Sequence, residues 1–507
     1  MLKAVRIILA LLSFAAVCLL FVDVNGYAAA HWGWMAKIQL IPALLALNLG
    51  VVAVLALCTL LFGRVYCSIV CPLGVYQDFI NSLRGRIGKK KKRKNRFRFK
   101  PENTKLRYGF FSVFVVLLVL GLLGVVANSF AGMLDPYSSF GRIMGQLIVP
   151  GARAGIGTVA QNVAADGYFF LDSVPLPSPL SFAVMAVAVV SLLVVTVMAW
   201  RGGRDYCNTV CPVGSVLGFI SRYALLRINI DTDKCNGCGK CGRNCKASCI
   251  DTKNHEIDLS RCVVCMDCIG NCSQSAISFS RVKKVPSRYE NAPDKGRRLF
   301  LAASAFVAGS AAMKAADKTT DGGLEPLQKK HSHSGILRAV PAGSASLEHL
   351  SSVCTACQLC VSACPNGVLK PTAGFDGFMQ PHMVFTQGYC RPDCTVCSDV
   401  CPAGAIKPIS VEEKAVTKIG TAHVDASICI SASQGVDCGS CSRHCPAGAI
   451  TMVGLPDGNL RPVVDEGACI GCGSCEYHCP VGNVVGLGSK TAAIYVEGIE
   501  QHRKIVH

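Results

Sequence analysis

Several absences narrow the reading of this 507-residue sequence before any motif is considered. Acidic residues are scarce: 32 Asp and Glu stand against 51 Lys and Arg, for a formal charge of +19. Spread evenly over a soluble domain, that excess would suggest nucleic acid. It is not spread evenly. Arg84, Arg86 and the basic run 89–98 crowd one loop between two apolar segments. This is the positive-inside pattern of a membrane protein, and it argues against nucleic acid as a partner. No C-x-x-C-H sequence occurs, which excludes covalently attached c-type haem. No convincing cleavage site follows the first apolar run, so a removed signal peptide is disfavoured there.

Apolar residues and cysteines are what the chain has in excess. The apolar fraction is 51%, with 31 cysteines. Four runs are long enough to span a bilayer: Val5–Val24, Ile38–Phe62, Gly109–Asn128 and Leu180–Trp200. The basic loop places the face after the second run in the cytoplasm, together with Met1 and the chain just after Trp200. The 25–37 loop and the 129–179 connection then lie outside.

Two related motifs follow the second and fourth runs. GRVYCSIVCPLG carries Cys67 and Cys71; GRDYCNTVCPVG carries Cys207 and Cys211. The repetition suggests duplication of a two-span unit, with both motifs on the cytoplasmic edge. The four thiols could be redox pairs, or could together hold one further cluster or metal. Cys18 and Cys58 sit alone inside apolar runs and read as packing residues.

The remaining cysteines fall mostly in tight runs. Residues 231–280 hold Cys235, Cys238, Cys241 and Cys245, then Cys262, Cys265, Cys268 and Cys272. C-x2-C-x2-C-x3-C is the ferredoxin spacing, in which the fourth cysteine serves the other cluster. Cys235, Cys238, Cys241 and Cys272 are therefore assigned to one [4Fe–4S] cluster, and Cys262, Cys265, Cys268 and Cys245 to the second. Lys246 and Ser273 stand where proline usually follows, and Cys249 is an extra thiol able to replace Cys245. Disulfides rarely use such spacing, and the C-x3-C-P endings of the later runs favour clusters over zinc.

Four more runs follow: Cys354, Cys357, Cys360, Cys364; Cys390, Cys394, Cys397, Cys401; Cys429, Cys438, Cys441, Cys445; and Cys469, Cys472, Cys475, Cys479. All end in C-P. They predict four clusters, six in all. Shared spacing favours pairing the first run with the fourth and the second with the third; sequential pairing is the alternative. The segment Ala315–Leu347 reads as a flexible linker, with His331 and His333 in solvent.

Between the two cysteine-rich halves lies KGRRLFLAASAFVAGSAAMKAA, Lys295 to Ala316. It resembles a twin-arginine export signal set in mid-chain. Such a pathway carries folded proteins, which suits a domain whose clusters are built in the cytoplasm. The expected fold is multi-domain. Residues 1–222 form an α-helical membrane domain of four spans, and residues 223–282 a cytoplasmic α+β ferredoxin-like domain. A fifth signal or anchor helix lies in 283–316, a linker in 317–347, and a four-cluster ferredoxin domain in 348–507.

Residues 1–280 resemble the NapH-type membrane ferredoxins, and share the C-x3-C-P signature with the NosR group. Residues 295–507 resemble the exported NapG-type ferredoxins. The resemblance implies an electron-transfer component of the bacterial inner membrane. It would oxidise quinol, menaquinol by expectation, and pass electrons to a periplasmic reductase, of nitrate-reductase type, or a cytochrome. A redox-supply protein for a periplasmic metalloenzyme and an outward conduit fed by ferredoxin are the other readings. His31, Trp34, Asp135 and Arg142 are the candidate quinol-site residues. How electrons cross between the two halves is not legible in the sequence.

Overall fold

The computed structural model describes residues 2–23, 26–87, 97–155, 181–281, 319–321, 325–456, 458–484, 487 and 489–505. Most of the basic run and the whole Lys295–Ala316 stretch lie outside the described residues, so the export reading is not addressed by it.

Among the described residues three helices are long and apolar enough to cross a membrane: α1 (Leu2–Val22), α5 (Thr104–Leu122) and α7 (Phe182–Gly202). The second apolar run differs from expectation. It is broken into α2 (Leu40–Leu45) and α3 (Leu49–Phe62). The break follows from Leu47, whose φ of 53° cannot continue a right-handed helix. Asn48 then restarts the helix by accepting a 3.2 Å bond from the Val51 amide. Among the other helices of the domain are α4 (Pro72–Ile87), α6 (Pro136–Ile143) and α8 (Pro212–Ser221). A π-helical turn, Met144–Ile148, extends α6.

Two cysteine-rich units sit at opposite ends of these helices. The first closes when β1 (Leu226–Ile230) pairs antiparallel with β2 (Ile277–Arg281). It meets the start of α1 through Lys3–Asp267 at 2.8 Å and the start of α5 through Arg107 and Ser260. The second unit is held by β3 (Thr417–Val424) against β4 (Ile494–Lys504). It meets the other ends: Asn128, beyond α5, donates to the Ser351 carbonyl at 2.9 Å, and Val184 of α7 packs with Ala356 and Met379. A helix of 21 residues such as α1 spans about 30 Å, which sets the separation of the two units.

The linker is also corrected in part. Residues 328–340 are docked on the second unit, not free. Lys330 donates to the carbonyls of Glu476 and Cys479 at 2.7 and 2.9 Å, His333 stacks on Tyr495, and Val340 is fully buried.

One carboxylate ties the first unit to the helices. Asp78 of α4 pairs with Arg6 at 2.9 Å, Arg204 at 2.8 Å and Lys246 at 2.9 Å. All three cations are nearly buried. Removing one partner of a buried ion pair costs about 3–5 kcal/mol, because the charges left behind stay desolvated. Asp78→Asn should therefore release residues 231–281 from the helices, read as new protease cleavage between 222 and 282 in the detergent-solubilised chain.

Candidate iron–sulfur centres

The ferredoxin-spaced cysteines gather in sets of four, and in the second unit all four sets take their fourth cysteine from a run other than the one favoured by spacing. In the first unit Cys235, Cys238, Cys241 and Cys272 line one small cavity. Cys245 lies within electrostatic reach of Cys265 and Cys268, with Cys262 beside them. Both groupings bring together the cysteines that the spacing had grouped. The extra thiol is close at hand: Cys249 Sγ lies 3.5 Å from Cys245 Sγ. The Cys245 thiol is pulled down to about 7, chiefly by its contact with Cys249.

In the second unit the nested pairing is overturned. Cys354, Cys357 and Cys360 share their surroundings with Cys401 of the second run. Cys390, Cys394 and Cys397 share theirs with Cys364 of the first. Cys429, Cys438 and Cys441 line a cavity with Cys479, and Cys469, Cys472 and Cys475 line another with Cys445. The pairing is sequential because short helices carry each fourth cysteine. Leu359–Ala363 packs on Val396–Val400, and Ser440–Arg443 packs on Ser474–His478. Each helix delivers its terminal cysteine to the neighbouring run.

The loops that curl around these sites use left-handed backbone, and not only at glycine. Val264 and Met266 have φ of 51° and 61°; Ala356 and Gln358 have 54° and 61°. In the related loops Gly237, Gly239, Gly471 and Gly473 take the same positions. A β-branched residue such as Val264 adopts this region only under compulsion, and such strain collects at functional sites. Sequence reasoning missed these residues. The signal was their fixed offset from the cysteines.

The C-x3-C-P cysteines occupy an unexpected place. At Gly63 and Gly203, with φ of 76° and 74°, the chain turns back into the helical domain. Tyr66 then reaches Gln39 with a 2.6 Å bond, and Tyr206 reaches the Leu134 carbonyl at 3.4 Å. Cys67, Cys71 and Cys207 are each 4% exposed, and Cys211 is 3%. All four lie within electrostatic reach of one another.

The candidate quinol residues separate into two groups. His31 and Trp34 are exposed, and the His31 ring nitrogen bonds only the Tyr27 carbonyl, at 2.9 Å. Asp135 and Arg142 are buried together beneath the second unit. Asp135 accepts from the Ser138 hydroxyl at 2.6 Å, and that hydroxyl lies 2.9 Å from Thr355 Oγ1. Arg142 donates to the Gly132 carbonyl at 2.9 Å. Of the lone cysteines, Cys18 packs against the core and Cys58 is exposed.

A cavity of about 460 Å³ opens nearby, between the π-helical turn and the second unit. Gln146, Arg153 and Ser181 line one wall; Lys330, Ser362 and Lys370 line the other. Ser181 is the residue before α7, so the cavity sits at one end of a membrane-length helix. Burial lowers the Lys370 ammonium to about 8.

The residues fit iron–sulfur clusters on chemical grounds. Each set is four cysteines gathered from two runs, as paired ferredoxin sites require. Among the described residues no three His, Cys, Asp or Glu side chains converge closely enough for a single metal ion. Exchange of Cys401 for Ser should disturb the cluster of Cys354, Cys357 and Cys360 and leave that of Cys390, Cys394 and Cys397 intact. Cys245→Ser should keep its cluster by recruiting Cys249, whereas the Cys245→Ser/Cys249→Ser pair loses about four irons. Iron analysis with paramagnetic resonance of the reduced protein reads both.

Comparison with known proteins matches the helical domain and the second unit, with Cys235–Cys272 outside the matched stretches. A model described as a 4Fe-4S binding domain matches residues 43–92 and 184–232, and one described as a 4Fe-4S dicluster domain matches 353–405 and 435–483. The chain is 26% identical over 184 residues to a methylamine utilization ferredoxin-type protein, MauN, of Paracoccus denitrificans. That match covers 36% of this chain and 48% of the relative. It is 32% identical over 79 residues to an uncharacterized protein of Methanocaldococcus jannaschii, covering 16% and 31%. The chain thus spans less than half the length of either curated relative. No solved structure matches. The matches show ferredoxin-type 4Fe-4S domains in this chain, consistent with an iron–sulfur electron-transfer protein.

Proposed function

We propose that the protein is a membrane-bound electron carrier that oxidises a quinol and delivers the electrons to a reductase or cytochrome at the second unit. The observation that carries this reading is the seating of two ferredoxin-type units on opposite ends of one apolar helical domain. It supports placing residues 231–281 in the cytoplasm and the second unit in the periplasm, with Lys295–Ala316 joining them. Bound [4Fe–4S] clusters supply one-electron transfer.

The cavity beside Lys370 suits the quinol better than His31 or Trp34. It lies at the end of α7, where a lipid-soluble molecule arrives, and Ser362 on its wall is two residues from Cys364. Arg153, which donates to the Ser362 carbonyl, and Gln146 provide donors for quinol oxygens. Oxidation of a quinol to a quinone releases two electrons and two protons. The electrons leave singly through the cysteine sets. One proton passes to the Lys370 amine when it is neutral, and the other to water.

The outermost set of the first unit favours a second reading. Cys238 is exposed, which lets a soluble ferredoxin-type donor approach. Menaquinol added to the reconstituted protein separates the two. Reduction of the clusters by menaquinol is expected; reduction by soluble ferredoxin alone would replace the quinol with that donor. Because the Lys370 amine is the base, the quinol-dependent rate should rise with pH through about 8. Lys370→Gln should remove that limb and lower the rate about 10²-fold or more, measured as cluster bleaching in stopped flow.

A further inference from the structure

The two C-x3-C-P motifs are built as halves of one site. Each begins with a buried arginine, and each arginine serves the other motif. Arg64 Nη2 donates to the Cys207 carbonyl at 3.0 Å and lies 3.8 Å from Cys67 Sγ. Arg204 Nη1 donates to the Cys67 carbonyl at 2.8 Å and lies 3.8 Å from Cys207 Sγ. Both arginines are fully buried. The second cysteine of each motif precedes a helix that starts at proline, α4 or α8. Cys211 Sγ accepts from the Gly214 amide at 3.3 Å, and the Gly74 amide does the same for Cys71. Gly74 and Gly214 are required here, because a Cβ would strike the Cys67 and Cys207 carbonyls. Gln77 Nε2 donates to Cys207 Sγ at 3.2 Å.

We infer that Cys67, Cys71, Cys207 and Cys211 together hold one iron–sulfur cluster, shared between the repeats and buried inside the helical domain. Neither repeat carries four cysteines in its motif; the pair does. Charge agrees. Four thiolates around an oxidised [4Fe–4S] core leave two negative charges, and Arg64 and Arg204 supply two positive ones. Helix N-termini and cationic neighbours are the surroundings that keep cysteines as thiolates.

The position gives the cluster its role. On one side Arg204 pairs with Asp78, which holds Lys246 beside Cys245 and Cys265. On the other, Tyr206 and Arg142 lead to Cys357. The site therefore divides the helical domain into two shorter electron-transfer steps. One electron enters from either neighbouring set and leaves to the other, with no bond made or broken.

This deepens the electron-transfer reading but does not depend on quinol, so the two fail separately. In the full chain purified without exposure to oxygen, about 28 irons with equal sulfide are expected, seven clusters of four. About 24 would overturn the inference. So would a zinc equivalent at this site, or disulfides recovered from Cys67–Cys71 and Cys207–Cys211 after alkylation. Cys207→Ser/Cys211→Ser should lose about four irons and keep the rest. It should also stop electrons supplied by a soluble ferredoxin from reaching the second unit. Should that variant fail to fold, Gln77→Leu keeps every ligand and removes the amide bond to Cys207 Sγ, together with one to the Leu73 carbonyl of its own helix. Its redox titration should move one centre to lower potential and leave the others unmoved. Unchanged potentials throughout would count against the cluster.

Discussion

The helical domain and the first cysteine-rich unit depend on one shared carboxylate. Asp78 receives Arg6 from α1, Arg204 from the second motif and Lys246 from the ferredoxin loop. Each cation would be costly alone in this dry interior, and the carboxylate would be costly without them. Burial by itself would raise the Asp78 carboxyl, yet Arg204, Lys246 and Arg6 hold it well below the usual range. The network also accounts for a departure in the sequence. Lys246 stands where proline normally follows the fourth cysteine. Proline there would leave Asp78 one cation short and the docking loop without its anchor.

The same economy shapes the repeat. Gly63, Arg64, Tyr66, Cys67, Cys71, Pro72 and Gly74 match Gly203, Arg204, Tyr206, Cys207, Cys211, Pro212 and Gly214 in order and spacing. A motif folded alone would bury an arginine whose acceptor carbonyl belongs to the other copy. The two copies therefore stabilise each other, and neither half makes a complete site. Beyond them the seam to the second unit is tight. A Cβ on Gly132 or Gly141 would overlap the carbonyl of Thr355 or Cys357.

What was legible in the sequence followed from locality. Three ligands of each cluster lie within a single run, so spacing alone announces them. The fourth ligand comes from another run, and tertiary packing decides which. Equal spacing suggested partners for the first and fourth runs, but helix Leu359–Ala363 had Val396–Val400 beside it. The break at Leu47 escaped notice because composition there is uniformly apolar and only backbone conformation changes. The docked linker escaped for the opposite reason: Lys330 and His333 look solvated until Glu476, Cys479 and Tyr495 are placed beside them. Asp135 and Arg142 were picked out as polar groups in an apolar connection, and they do lie together. Their setting, between two cysteine sets, needed the fold.

Exposure along the cysteine sets orders their roles. At one end Cys238 is exposed, and at the other Cys438, Cys441 and Cys445 are half-buried. Between them lie the motif thiols at 3–4% and Cys354, Cys357 and Cys360 at 8–9%. Exposed sets admit partners. Buried sets lie in a low dielectric, where each added electron is harder to hold. The deepest site is also the one with two fully buried arginines within 4 Å of its sulfurs. Their charge opposes the desolvation that would otherwise make the middle of the path a barrier. Arg64 and Arg204 thus do for the interior what solvent does for the ends, and burial need not interrupt the route.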